Sequence, residues 1–315
     1  MRPRPLLLVV ALAAAFGPLA GAAPATAQSA PVVVVAAGDI SPEPAATTTN
    51  DHATAALAVA ADPRRVVCLG DCQYEDGDLA KFRSTRGWRG SWGRLNDRQC
   101  PTAGNHEYMD AGPGAPGFFT YFADRLTACA AAGNPSAGYY AYDLGGWRVY
   151  VLSTDCRRTD GTGPGCQAGS VQQTWLANDL ARNPRACTLA ISHHPRWGSG
   201  YFGDDAAVEP LWRTFVDARG DLWLAGHEHH YARFGPLDRN GHITSGAGTR
   251  QLTVGTGGKS LLGFRRSPHP EGLRYRDSSH YGVARLALTP TTWSSEFRRT
   301  DGVTADRTGT VGCWR

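Results

Sequence analysis

Five short apolar runs in this chain end in the same way, and that repetition limits the folds open to it. "PVVVVAAGDI" (31–40) runs into Gly38-Asp39, "RRVVCLGDCQYEDG" (64–77) into Gly70-Asp71, and "CPTAGNHEY" (100–108) into Gly104-Asn105-His106. "CTLAISHHP" (187–195) ends at His193-His194-Pro195, and "DLWLAGHEHH" (221–230) at His227, His229 and His230. Continuous apolar runs with such punctuation read as strands buried on both faces. Helical stretches lie between them. "NDHATAALAVAA" (50–61) has a polar start and an alanine-rich body, "GSVQQTWLANDLAR" (169–182) sets Val171, Trp175, Leu176 and Leu180 at helical spacing, and "AAVEPLWRTFVDA" (206–218) is a third. Strand and helix alternation predicts an α/β fold.

The pattern changes elsewhere. "GYYAYDLGGWRVYVLST" (138–154) reads as a hairpin turning at Leu144-Gly145-Gly146. After Thr249, "RQLTVGTGG", "YGVARLAL" and "TTWSSEFRR" read as three strands without intervening helices, a mostly antiparallel portion packed on the first. With 38 glycines and 20 prolines the loops should be long. No internal repeat or Ser- or Pro-rich linker divides the chain, so one compact domain of two sheets is expected over 28–315.

The first residues have the form of a secretory leader. Arg2 and Arg4 make a basic start, Leu6 to Phe16 an apolar stretch, and Ala25-Thr26-Ala27 a small-residue cleavage site. The stretch is short for a bilayer span, and no later segment is long and apolar enough to be one. An exported protein with eight cysteines is expected to hold disulfides, although eight allow about 105 pairings. Cys156 and Cys166 flank the glycine-rich loop "RRTDGTGPG", short enough to bring its ends together, and are expected to pair. No Cys-x-x-Cys pair points to zinc. The net charge of +4 is scattered, without a basic tract, which argues against nucleic-acid binding.

In α/β sheets, ligands bind beyond the carboxyl ends of the strands. Here Asp39, Asp71, Asn105, His193, and the pair His227 and His229 all fall at such ends. One aspartate after a strand can cap the next helix, and one histidine pair is commonly a satisfied core feature. Five in series at one end are hard to produce as caps. Carboxylate, amide and imidazole donors suit hard to borderline metal ions.

In that order, "GDI", "GDCQY", "GNHE", "SHHP" and "GHEH" resemble the five signature blocks of the calcineurin-like metallophosphoesterases, and more narrowly those of the purple acid phosphatases. The blocks span Gly38 to His229, and the strand-rich C-terminal segment also fits. The resemblance implies a two-sheet β-sandwich flanked by helices, with a two-metal centre at the strand ends. It implies that Asp39 binds the first metal, that Asp71 bridges both, and that Tyr74 and His229 complete the first site. It gives Asn105, His193 and His227 to the second metal, His193 being preferred to His194 because it stands two residues before Pro195. His106 then faces substrate and protonates the leaving oxygen, and Asp71 joins it as a catalytic residue. His194 is a weaker phosphate contact. The wider family places a histidine where Ser41 stands, and Tyr74 replaces that ligand. The implied metals are Fe(III) with Zn, Fe or Mn in the second site. The implied activity is hydrolysis of phosphate monoesters of small molecules, by water activated at the centre.

A phosphodiesterase or nucleotidase on the same centre, or a metal-stabilised binding module, are the other readings. No Gly-x-Ser-x-Gly block or Walker-type loop supports different chemistry. Gly255-Thr256-Gly257-Gly258-Lys259 reads as a tight loop near the metals or a plain turn. "RGWRGSWGR" (86–94), "FFTYF" (118–122) and "RWGSGYF" (196–202) mix arginine and aromatic residues on expected loops. Loop anchoring by buried rings is the expectation for most of them, with Arg196 as a candidate phosphate contact. No feature of the sequence specifies an oligomeric state.

Overall fold

The structure, a computed structural model, describes Met1 and residues 30–42, 50–109, 114–156, 165–264 and 270–315. Met1–Ala30 and Pro31–Arg315 form separate units, and the architecture below is that of the second. Residues 2–27 of the expected leader lie outside the described residues.

The strands, in chain order, are β1 (Val32–Ala37), β2 (Arg65–Cys68), β3 (Ala132–Asn134), β4 (Tyr139–Leu144), β5 (Trp147–Val151), β6 (Cys187–Ile191) and β7 (Leu222–Ala225). They continue with β8 (Tyr231–Phe234), β9 (Arg250–Val254), β10 (Leu273–Asp277), β11 (Gly282–Leu288), β12 (Thr292–Arg299), β13 (Thr304–Arg307) and β14 (Val311–Gly312). One sheet has six strands, ordered β13-β12-β11-β1-β2 with β14 beside β12, and the other eight, ordered β10-β8-β9-β7-β6-β5-β4-β3. β1 and β2 are parallel, as are β5, β6, β7 and β9. Their β-branched and leucine-rich runs are buried on both faces, the condition under which parallel strands persist.

The expected helices form as α1 (Asn50–Ala60), α5 (Val171–Arg182) and α6 (Glu209–Asp217). Ser170 caps α5, its hydroxyl accepting from the Gln173 amide at 3.2 Å. Shorter helices α2 (Leu79–Arg83), α3 (Pro116–Tyr121) and α4 (Ala123–Cys129) lie between β2 and β3. The hairpin turns at Gly145-Gly146, with Leu144 opposite Trp147.

Three expectations change. The run at 100–108 is not a strand: only single parallel bridges, Val66 to Gln99 and Leu69 to Thr102, tie it to the sheet. The C-terminal strands do not form a portion of their own. β9 extends the eight-stranded sheet beside β7, while β11 pairs antiparallel with β1 and carries β12 to β14 with it. "FFTYF" lies mostly on α3 rather than a loop, and with Phe82, Trp88 and Trp92 its Phe118 and Phe122 are buried in the core. All eight cysteines are paired: Cys68–Cys72, Cys100–Cys129, the expected Cys156–Cys166, and Cys187–Cys313.

Candidate metal centre

The parallel strands of both sheets deliver their following residues to one place. Asp39 follows β1 and Asp71 follows β2, whereas His193 follows β6 and His227 and His229 follow β7. Asn105 arrives three residues beyond the bridge at Thr102.

The backbone at these positions is under constraint. Among the described residues, seven non-glycine residues have positive φ, and four of them are Asp39 (58°), Asp71 (49°), His227 (70°) and His229 (41°). Left-handed backbone is costly for residues with a Cβ and concentrates where side chains must be aimed. Gly70, at φ 84°, permits the close approach: a Cβ there would lie 2.4 Å from His193 Nδ1.

The donor atoms converge. Tyr74, fully buried, places its hydroxyl 2.9 Å from Asp39 Oδ1, 2.9 Å from Asp71 Oδ2 and 3.1 Å from His229 Nε2. His193 Nε2 is 3.0 Å from Asn105 Oδ1, 3.4 Å from Asp71 Oδ2 and 3.3 Å from His227 Nδ1. Asp71 Oδ2 therefore faces both sets. Each carboxylate has its other oxygen pinned by a backbone amide: His227 N–H donates to Asp39 Oδ2 at 2.8 Å and His106 N–H to Asp71 Oδ1 at 2.9 Å. The imidazoles are oriented from behind. His193 Nδ1 donates to the Leu69 carbonyl and His229 Nδ1 to that of Ser260, both at 2.8 Å, so each Nε2 faces the cluster.

The electrostatics are those of a cation site. Burial opposes charge on His193, yet the Asp71 and Asp39 carboxylates raise it to about 10. Burial would raise Asp71, but the His193 imidazolium holds it far below the usual carboxylate range. Burial, and then the His193 charge, lower His227 to about 3. Burial pushes Tyr74 well above 10.0, and the two carboxylates push it further. Two buried carboxylates are thus balanced by a proton on His193, a position that a metal ion competes for. Oxygen and imidazole donors in this arrangement fit hard to borderline ions.

The other candidates divide. The His194 ring joins the cluster, donor atoms of His193, His194 and His227 lying within 4.8 Å of one another, as do those of Asp39, Asp71 and His193. The His106 ring packs on Tyr74 with centroids 4.4 Å apart, and its Nε2 lies 3.9 Å from Asp71 Oδ2. The Arg196 guanidinium is paired with Glu209 of α6 at 3.1 Å. His230, third of the histidines, is a structural residue, its Nδ1 donating to the Glu228 carbonyl at 2.6 Å. Ser41 turns away to Asp51 and Ser91. The glycine-rich loop lies against the site, Gly257 N–H donating to the Gly38 carbonyl at 3.0 Å and Lys259 N–H to that of Asp39 at 2.9 Å.

Two residues of the motifs acquire roles the sequence reading did not give them. Glu107 is fully buried and accepts amide hydrogens from Asp71 (2.9 Å), Cys72 (2.7 Å), Gln73 (3.2 Å) and Gly104 (2.7 Å). Burial and the Asp71 charge raise it to about 7. Glu228, also buried, accepts from Gly203 (2.7 Å) and Phe202 (3.2 Å). The available signal was an acid set beside a histidine in an apolar context. The Cys68–Cys72 disulfide brackets Asp71 in the same turn.

With this geometry in view, the comparisons with known proteins agree. The model of the calcineurin-like phosphoesterase family matches residues 27–231, and the chain belongs to that family. It is 29% identical over 181 residues to probable purple acid phosphatase 20 of Arabidopsis thaliana, covering 54% of this chain and 40% of that one. It is 28% identical over 244 residues to an acid phosphatase of Aspergillus ficuum, covering 65% and 40%. The chain thus spans less than half the length of these curated relatives. The purple acid phosphatase PPD1 from yellow lupin (Lupinus luteus) seeds superposes with a TM-score of 0.66 at 18% identity, over 90% of this chain and 54% of that one. A dimetal phosphatase from Danio rerio does so with 0.54 at 15%, over 91% and 100%. The fold is that of the calcineurin-like metallophosphoesterases, two sheets flanked by helices.

Proposed function

We propose that residues 28–315 form one catalytic domain, exported after removal of residues 1–27, that hydrolyses phosphate monoesters at a two-metal centre. The observation that carries this reading is the placement of Asp71 Oδ2 between the Tyr74 hydroxyl and His193 Nε2, a single carboxylate facing two donor sets. Asp39, Tyr74 and His229 would hold Fe(III) with Asp71, and Asn105, His193 and His227 would hold Zn, Fe or Mn with it. When bound, such ions supply Lewis acidity toward phosphate oxygens and lower the pKa of water. Phenolate is hard and anionic, which favours the smaller, more highly charged ion on the Tyr74 side. Pairing of all eight cysteines supports export to an oxidising compartment.

His106 is built as an acid. Its Nδ1 faces the Glu75 carbonyl and so carries hydrogen, which means that Nε2 holds a proton only in the imidazolium form. That proton points into the site, toward the oxygen that leaves as the ester cleaves. Asp71 Oδ2 lies 3.9 Å from Nε2. The His194 ring stands 4.3 Å from that of His227, on the His side of the cluster, where it would meet a phosphate oxygen.

Protein reconstituted with iron and zinc should hydrolyse 4-nitrophenyl phosphate with a higher kcat/KM than bis-(4-nitrophenyl) phosphate. The opposite order would transfer the reading to a phosphodiesterase. The oxidised iron form should show a visible phenolate-to-iron band that Tyr74→Phe removes, and persistence of the band in that variant would reject Tyr74 as a ligand. Amino-terminal sequencing of exported protein should begin at Gln28.

A further inference from the structure

Among the described residues, Tyr201 and Phe202 carry the exposed aromatic rings, 65% and 44% accessible, while the other aromatic side chains are buried or half-buried. Their position sets them apart further. The Phe202 ring stacks on His227, with centroids 4.4 Å apart and planes inclined by 28°, and the Tyr201 ring meets Phe202 edge-on at 5.3 Å. His227 in turn lies 4.3 Å from His194 and 5.0 Å from His193. A row of rings therefore leads from the candidate metal ligands to solvent.

The segment bearing these rings is held in place. Glu228 accepts from the amides of Phe202 and Gly203, which belong to it. Ser199 Oγ lies 3.0 Å from His230 Nε2, and the Ser199 carbonyl accepts from Arg276 at 3.3 Å. Glu228 and His230 flank His229 in sequence, so the turn that carries the ligands also fixes the rings. Two large apolar side chains held in water beside a charged centre cost solvation unless something apolar covers them in use.

Building on the phosphatase reading, we propose that Tyr201 and Phe202 are specificity-determining residues that receive the aromatic leaving group of aryl phosphate monoesters. Rings gain from offset or edge contact beyond their buried area. In an aryl ester the ring is bonded to the bridging oxygen, so it stays within one ring's reach of the phosphate, where Phe202 begins. A nucleobase is set back by a ribose. In the reaction, the oxygen of water bonds to phosphorus and the P–O(aryl) bond breaks. The electron pair leaves on the phenolic oxygen, which takes the His106 Nε2 proton, and the proton of water restores the imidazolium. Phenol and orthophosphate are released.

The test compares phenyl phosphate, glycerol 2-phosphate and adenosine 5′-monophosphate on metal-loaded wild type, Tyr201→Ala, Tyr201→Phe and Tyr201→Ala/Phe202→Ala. The phenyl-to-glycerol ratio of kcat/KM should fall about five- to tenfold in the double variant, mainly through KM for phenyl phosphate, and should be retained in Tyr201→Phe. Calorimetry should show phenylphosphonate binding more tightly than methylphosphonate to wild type, and the advantage should vanish in the double variant. This binding arm stands even if no monoester is turned over, a result that would reject the phosphatase reading alone. An unchanged ratio and unchanged phosphonate preference in the double variant overturn the proposal. So does a preference for adenosine 5′-monophosphate over phenyl phosphate that the substitutions abolish, which would assign the rings to a nucleobase.

Discussion

The two sheets bring different chemistry to the same cluster. The six-stranded sheet, through β1, β2 and the bridged segment after them, contributes oxygen donors: Asp39, Asp71, Tyr74 and Asn105. The eight-stranded sheet, through β6 and β7, contributes imidazoles: His193, His227 and His229. Each proposed ion needs donors from both, so neither sheet holds a centre alone. The far ends of the sheets are joined by other means. Cys187, at the start of β6, is bonded to Cys313 just after β14, and Asp221, before β7, accepts from Trp314 N–H at 2.9 Å. One end of the sandwich is stapled covalently, and the other carries the candidate metal centre.

The largest effect should come from the residue shared by both sides. Asp71→Asn is expected to lower turnover about a thousandfold or more, because the loss touches several kcal/mol of charge stabilisation. Circular dichroism should report a folded protein, and metal analysis a reduced content. Near wild-type activity in the purified, metal-loaded variant would sink the two-metal reading.

Next is the proposed proton donor, which belongs to the oxygen side by position. His106→Ala should slow hydrolysis of glycerol 2-phosphate by about a hundredfold, within the usual range for general acid catalysis. It should slow 4-nitrophenyl phosphate much less, since that leaving group departs without a proton. Equal losses for both esters would assign His106 to binding rather than proton transfer.

The buried acids sharpen the contrast between the sheets. Glu107 organises the Asp71 turn of the oxygen side and Glu228 the loop beside the imidazole side. Glu107→Gln leaves at least one buried amide without an acceptor, at about 1–3 kcal/mol, and should weaken metal binding about 10- to 100-fold. Glu228→Gln should act on the 198–203 loop, moving aryl selectivity more than metal affinity. Metal titrations that respond equally to both would remove the distinction.

Legibility from sequence followed the range of each interaction. Asp39, Asp71 and His193 each stand just after an apolar run, and His227 and His229 share a fourth, so local pattern alone placed them at strand ends. Glu107 was not readable, since its role depends on amides of Asp71, Cys72 and Gln73, contributed by the preceding turn. The pairing of Arg196 was not legible, because nearness to His193 in sequence does not fix the direction of a long side chain, here taken by Glu209. β11 was recognised as a strand, but its partner β1 lies some two hundred and fifty residues away, and apolar alternation carries no information on which edge a strand joins.

The smallest expected effect lies at the stapled end, where Asp221 joins the sheets without metal. Its carboxyl oxygens accept separately from Thr188 N–H at 2.8 Å and Trp314 N–H at 2.9 Å. Burial nevertheless raises it from 3.8 to about 6, against the pull of those amides. The folded chain therefore keeps a proton that the unfolded chain releases between about pH 4 and pH 6, so this group's contribution is full below pH 4 and is lost as pH rises through 6. The loss should amount to roughly 1–3 kcal/mol. Asp221→Asn does not titrate, so the difference in unfolding free energy between wild type and variant should change by that amount between pH 4 and pH 6.5. The proposed metal ligands are intact in both proteins, so their own titrations cancel in the difference. A difference that is flat across the window would mean that Asp221 is ionised in the folded chain throughout it. The far end would then be held by charge toward Arg315 and Arg250 rather than by a buried neutral acid.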